Sequence, residues 1–391
     1  MLVVNYIMPR NSLADLVKRW FMSIDNISLF IITGLISIGI WVSIASTPSV
    51  AMKLDLPPFH FVKQHMIILL VSIIIMVFIS FLQINYIKRL SVTGYFGCLV
   101  LVVLTIIIGS EIKGARRWLS FFGFSMQPSE FFKPILAVTN AWLITEQYRD
   151  RKFPGIVLSG ASVSVAILFL LLQPDIGMIV VICSSWIGQL FISGMSTIML
   201  GCFLFSAIGA LFGLYFTVPH FANRIDRFIM SGGKENDIYQ VQKSLEAFKS
   251  GGLFGKGPGE GVIKTMVPDS HSDFVFSVIA EEYGFIVCFV IIALFTIFII
   301  RSMMRANKSS SIFSICATFG IVLQIGLQVL INTATSLNLI PTKGMTMPFI
   351  SYGGSSFLSS SISIGILLAI TKRQSIIHGD TYYTHFKHNR R

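Results

Sequence analysis

Asp269, His271 and Asp273 stand at the mouth of an apolar run that continues to Ile300, within VPDSHSDFVFSVIAEEYG (267–284), and Glu281 and Glu282 lie inside that run. A carboxylate at the lip of a membrane helix is costly and marks chemistry or transport. One such group could take a proton from an attacking hydroxyl. For Asp273 the competing reading is a helix cap, since Ser270-x-x-Asp273 mimics a capping box. His271 and Lys264 close by weigh against that reading. Glu281, eight residues on, falls roughly 12 Å deeper and about 80° round a helix, where it could share a cavity with Asp273, whereas Glu282 points nearly the opposite way.

Other chemistry-bearing residues are spaced along the chain. KGARRWL carries Lys113, Arg116, Arg117 and Trp118, and QPSEFFKP places Glu130 and Lys133 at i, i+3, on one helix face where they can pair. PTKGMTMPFISYGGSS (341–356) brings Lys343, Ser351, Tyr352, Ser355 and Ser356 to the start of an apolar run. It could line a cavity or form a packed re-entrant turn, and spacing does not decide between them. LQPDIG (172–177) reads as ordinary turn chemistry. QVQKSLEAFKSGGLFGKGPGEG (240–261) reads as an amphipathic helix, with Val241, Leu245 and Phe248 in a stripe, followed by a Gly-rich turn. No strand precedes those glycines, so a re-entrant or interfacial helix closing a cavity is favoured over a phosphate cradle.

The elements that position these residues are membrane helices. The 391-residue chain is 54% hydrophobic and 12% charged, with a mean hydropathy of +0.77. Soluble domains carry about 25% charged residues, so the composition specifies an all-α polytopic membrane protein. No removable signal peptide is evident. With roughly 20 apolar residues per crossing, ten spans are expected near 27–47, 64–84, 92–110, 129–147, 156–173, 176–194, 197–217, 274–300, 312–332 and 348–370. One long loop, 217–273, joins the seventh to the eighth. Residues 1–26 form an N-terminal segment, 27–373 the membrane domain, and 374–391 a solvated tail. Cys98, Cys183, Cys202, Cys288 and Cys316 all fall in apolar segments without metal-ligand spacing and read as small core residues.

Lys88 and Arg89, then Arg149, Arg151 and Lys152, then Arg301, Arg305 and Lys308, and finally Lys372 and Arg373 fall in alternate loops. The positive-inside rule puts these loops and both termini in the cytoplasm. KGARRW then lies in a short outside loop, against the rule. The long outside loop adds Arg224, Arg227, Lys234, Lys243, Lys249, Lys256 and Lys264. Cations kept outside suit an anionic ligand or lipid head groups. The net charge of +12 suits anionic lipid or a phosphate-bearing substrate, and no nucleic acid, because the charges lie between spans. Glycosyl transfer from a lipid-linked sugar diphosphate would use this equipment: one carboxylate as base, and Lys and Arg groups or a divalent cation (Mg or Mn) on the departing diphosphate. It calls for no organic cofactor.

KGARRWL, QPSEFFKP, LQPDIG, the 240–261 loop, VPDSHSDFVFSVIAEEYG and PTKGMTMPFISYGGSS occur in the order and spacing of the SEDS family (shape, elongation, division and sporulation), and the chain resembles its cell-division branch over about residues 27–373. The resemblance implies ten membrane helices and polymerisation of lipid II into glycan strands outside the cytoplasmic (inner) membrane, at the septum. Undecaprenyl-diphosphate-linked glycan would be the donor, and a class B penicillin-binding transpeptidase the partner. It assigns the essential aspartate to Asp273 in His271-Ser272-Asp273-Phe274. Glu130, Lys133 and Arg117 match family positions, and Lys113, Arg116, Trp118, Lys264, His271, Ser272, Glu281, Lys343, Ser351 and Tyr352 join them as substrate-binding candidates. A flippase for lipid-linked precursors and a non-catalytic division scaffold are the alternatives. A flippase should carry its polar residues near the midplane, whereas these gather at outer helix ends.

Overall fold

The computed structural model describes residues 13–372 except 54, 113–114, 122–123, 218–221, 223–225, 227–234, 268–269, 310 and 342–343. Lys113, Lys343, Asp269, Arg224, Arg227, Lys234 and the C-terminal tail therefore lie outside the described residues.

Ten helices follow the ten expected spans in order. They are α2 (Asn26–Lys53), α3 (His60–Phe81), α4 (Ile84–Ile108), α5 (Ser129–Arg149), α6 (Gly155–Leu172), α7 (Ile176–Ile192), α8 (Thr197–Thr217), α10 (Val275–Asn307), α11 (Ile312–Ser336) and α12 (Gly354–Ile370). Among the described residues, two more lie outside the spans: α1 (Leu13–Ser23) at the N-terminal end and α9 (Glu235–Gly251) in the long loop. Among the described residues, six helices (α2, α3, α4, α6, α10 and α11) are long and apolar enough to cross a bilayer, and α7 and α12 are shorter apolar helices. The protein is a multi-pass membrane protein.

Packing differs from that of a soluble protein at the rim and in the share of polar groups inside. Phe30, Phe78, Phe96, Val157, Ile198 and Phe216 are exposed on the rim, while Ser, Thr, Asn and Gln side chains fill the interior alongside aliphatics. In lipid there is no hydrophobic gain from hiding Leu or Phe, so small and hydrogen-bonding residues face the neighbouring helix. Helix α5 is the hub, packing against α4, α6, α7, α11 and α12. That position shelters the polar Glu130, Lys133 and Asn140 from lipid.

Three features depart from the expected boundaries. The loop between α4 and α5 is a small antiparallel sheet, ordered β1 (Ser110–Ile112), β2 (Ala115–Phe121) and β3 (Phe124–Met126). Leu119 pairs with Met126 and Ser110 with Trp118. Aromatic residues favour the pleat, and strand pairing satisfies backbone groups at the membrane edge. The eighth span is broken at Gly284, where φ is 80° and ψ 176°. The tenth helix starts only at Gly354, because 344–353 forms an irregular segment containing Pro348 and two positive-φ residues, Gly344 and Phe349. Of the cysteines, Cys98, Cys288 and Cys316 are buried, whereas Cys202 is exposed on α8 and is not a core residue.

The N-terminal helix α1 docks by Trp20, whose indole N–H donates to Ser80 Oγ at 2.8 Å and whose ring stacks on Phe81. At the same end, Arg301 of α10 makes two hydrogen bonds to Asp25, at 2.7 and 2.6 Å, tying the start of α2 to the end of α10.

Candidate active site

Asp273 lies half-buried, two residues before the first residue of α10. The N-cap of α10 is Phe274, whose own side chain makes no capping hydrogen bond. Its position is set from two other elements. Asn332 of α11 donates through Nδ2 to the Asp273 carbonyl at 3.0 Å and to the Met345 carbonyl at 2.7 Å. The 344–353 segment clasps the same stretch: Ser351 Oγ donates to the Ser272 carbonyl at 2.7 Å, and the Tyr352 amide to the His271 carbonyl at 2.9 Å. Helix α3 closes the third side. Phe61 stacks on His271 with centroids 6.2 Å apart, and Tyr352 packs on His271 at 5.5 Å while its hydroxyl donates to Gln64 Oε1 at 2.8 Å. Within 341–356, residues 344–353 form a turn that packs against the motif bearing Asp273.

A second polar group is built around the start of α5. Lys133 Nζ and Glu130 Oε2 pair at 2.5 Å, with side chains only 4% and 13% exposed. The i, i+3 spacing does bring them together. Nearby, the Gln127 amide donates to Ser355 Oγ at 2.7 Å, its side chain reaches Asp175 Oδ2 at 3.2 Å, and Ser359 Oγ donates to the Glu130 carbonyl at 2.7 Å. Asp175 also caps α7, accepting from the Met178 amide. Arg117 of β2 donates to the carbonyls of Gln173 and Pro174 at 2.8 and 2.5 Å, so the LQPDIG turn is the anchor of the cationic strand. Arg116 is exposed and faces Glu111 at 3.6 Å. Trp118 is half-buried.

The two groups meet at the N-terminal end of α12, where Thr346 Oγ1 donates to Ser356 Oγ at 2.6 Å, next to Ser355, which accepts the Gln127 amide. The remaining candidates are placed differently. Glu281 is fully buried, with its two oxygens accepting the amides of Ile263 and Lys264 at 2.8 Å each. Lys264 is buried in an ion pair with Glu282. The expectation that Glu281 shares a cavity with Asp273 and that Glu282 faces away is corrected: both carboxylates turn to the long loop, because the break at Gly284 exposes that side of α10 to it.

Sequence reasoning passed over Gln64, Phe61, Asn332 and Gln127. Asn332 had a signal, being an amide inside an apolar span, and Gln127 stood in a motif already singled out. Phe61 and Gln64 had none, since aromatic and amide side chains at a span entrance are common. Among the described residues no group of three His, Cys, Asp or Glu side chains could hold a metal ion. A cavity of about 420 Å³ between α5, α6, α7 and α8, lined by Tyr148, Gly160, Trp186 and Phe203, touches none of the polar motifs.

The family model described as "Cell cycle protein", covering FtsW, RodA and SpoVE, matches residues 26–376. The chain belongs to the FtsW/RodA/SpoVE family. It is 36% identical over 361 residues to the probable peptidoglycan glycosyltransferase FtsW of Caulobacter vibrioides, covering 92% of each chain. To the protein of the same name from Trichlorobacter lovleyi it is 35% identical over 356 residues, covering 89% of this chain and 93% of that one. Two solved structures share the fold: Thermus thermophilus RodA, with a TM-score of 0.65 at 24% identity over 90% of this chain, and a chain from a peptidoglycan synthase complex, with a TM-score of 0.74 at 23% identity over 89%. Membership of the FtsW/RodA/SpoVE family and this shared fold bear out the family and the all-α polytopic fold that the six ordered motifs implied.

Proposed function

We propose that this chain is a peptidoglycan glycosyltransferase that polymerises lipid II at the outer face of the cytoplasmic membrane during cell division. The observation that carries this reading is the setting of Asp273, a half-buried acid at the entrance of α10 whose backbone is held by Asn332, Ser351 and the 344–353 turn. The names of its relatives support it.

In the proposed step the Asp273 carboxylate takes the proton of the 4-hydroxyl on the GlcNAc of lipid II. That oxygen attacks the anomeric carbon of the growing strand from the face opposite the diphosphate. The new C–O bond forms as the bond to undecaprenyl diphosphate breaks, so an α-linked donor becomes a β-linked product. Arg116, together with the N–H groups of Arg117 not given to the turn, would steady the departing diphosphate. Glu130 and Lys133 supply a polar wall. A divalent cation, Mg or Mn, would enter with the diphosphate as part of the substrate.

Three further parts of the reading are proposals. Both termini are cytoplasmic, as the loop charges favour. A class B penicillin-binding transpeptidase is the partner, consistent with the synthase complex that one structural relative belongs to. The septum is the working site, which the FtsW names of its relatives favour. The test is purified chain, with and without such a transpeptidase, supplied with labelled lipid II and assayed for glycan ladders. Ladders that disappear in Asp273→Asn support the reading, and lipid II moved across vesicles without polymerisation would replace it by a flippase.

A further inference from the structure

Helix α10 is two pieces, and something must serve the backbone groups freed by the break. In a continuous helix the amides of Phe285 and Ile286 would donate to the carbonyls of Glu281 and Glu282. At Gly284 they do not. The Gly-rich segment takes both sides instead: Phe285 and Ile286 donate to the carbonyls of Gly252 and Leu253 at 3.0 and 3.3 Å, while Lys256 and Gly257 donate to those of Glu281 and Glu282, each at 3.0 Å. Backbone must come close for this. A β-carbon on Gly255 would stand 2.2 Å from the Glu282 carbonyl oxygen, and one on Gly284 2.3 Å from that of Leu253.

Side chains complete the join. Glu281 accepts the amides of Ile263 and Lys264, and Glu282 accepts the Gly259 amide at 3.3 Å and the Lys264 ammonium. That ammonium also donates to the Ala45 carbonyl of α2 at 3.0 Å. Lys264, Glu281 and Glu282 are 6%, 0% and 1% exposed. The amides of residues 256, 257, 259, 263 and 264 are thus committed to α10, and the lysine head is shared between Glu282 and Ala45. A buried ion pair adds little net stability over an apolar replacement, so its use here calls for another reason. The reason is position: Asp273 precedes the nine-residue piece Val275–Tyr283, whose far end is the break.

On the reading that Asp273 is the base, we propose that Lys264, Glu281 and Glu282 are positioning residues, which with the Gly-rich segment splint the break at Gly284 and set where the short piece presents Asp273. The test combines steady-state kinetics on labelled lipid II with amide hydrogen exchange, on full-length wild type, Lys264→Met and Glu282→Gln. Lys264→Met is expected to lower kcat at least tenfold with KM within twofold. Exchange in 252–265 and 275–284 should quicken at least tenfold while 312–336 is unchanged. Glu282→Gln, which keeps an acceptor, should move the same readouts by a smaller factor, and it decides the matter if Lys264→Met does not fold. A raised KM with unchanged kcat would make Lys264 a substrate contact and overturn the proposal. So would unchanged exchange, or exchange that rises equally in 312–336. If wild type makes no glycan, the proposed function fails, and the exchange arm still decides the splint.

Discussion

Gly344 and Asp273 stand so close that a β-carbon on the glycine would lie 3.3 Å from Asp273 Oδ2, and Gly344 has a φ of 62°. The glycine lets the 344–353 turn press its backbone against the carboxylate in a conformation that costs other L-residues about 1 kcal/mol or more. Gly344→Ala is expected to lower polymerisation at least tenfold. Gly213→Ala on α8, where nothing lies within 4 Å, serves as the unaffected control. Equal rates for the two variants would mean that the contact does not matter.

Asp273→Asn should abolish polymerisation, by about 100-fold or more, the usual size of a general-base contribution. The change is nearly isosteric and keeps an acceptor oxygen, so the melting temperature should be unmoved. A glycan-ladder assay beside a melting curve checks both halves, and full activity in folded protein would end the assignment.

Glu130 and Lys133 are expected to behave as a coupled pair. Removing one leaves the other charged in a site shut from water, at a cost of about 3 kcal/mol or more, while replacing both with apolar side chains of similar size should cost less. Unfolding midpoints of Glu130→Leu, Lys133→Met and the double variant measure this. Strictly additive effects would show that the contact carries no coupling.

Asp25 predicts a pH dependence at the other end of the bundle. Burial alone would raise its pKa, but hydrogen bonds from Arg301 and Ser28, and the charges of Arg301 and Arg305, outweigh it and bring the value from 3.8 down to about 2. A depressed carboxylate stabilises the fold above its unfolded pKa, and that contribution is lost as pH falls through the folded value. The melting temperature should therefore drop between about pH 4 and pH 2. In Asp25→Asn this part of the slope should be missing; a slope identical to wild type would assign the acid sensitivity elsewhere.

Every proposed role depends on sidedness. Arg116, Lys256, Arg151 and Lys308 are all exposed, and single cysteines at these positions, in a background without the native cysteines, can be probed with an impermeant thiol reagent on intact cells. Labelling at 116 and 256 and protection at 151 and 308 is expected. The reverse would put Asp273 on the cytoplasmic side and remove the outer-leaflet substrate.

Hydropathy made the helices readable, because a residue's fit to lipid depends on its own side chain and a window of roughly 20 neighbours. The Glu130–Lys133 contact was readable for the same local reason, since helical spacing alone puts i and i+3 side by side. Trp118 and Arg117 gave no such signal for a strand, because β2 exists through pairing with β1 and β3 and through the carbonyls of Gln173 and Pro174, 56 and 57 positions away.

From its residues alone, then, this chain specifies a helical membrane protein, the motifs that carry its acids and cations, and the family to which those motifs belong. Tertiary structure decided what each acid does. Glu281 and Asp273 look alike in sequence, both being carboxylates beside an apolar run. The break at Gly284 hands Glu281 to the amides of Ile263 and Lys264, while Asn332 and Ser351 hold the backbone on either side of Asp273 and leave its carboxylate half-exposed. Hydrogen-bond partners far apart in the chain separate the two, and no local pattern encodes which amides will be free to reach a given carboxylate.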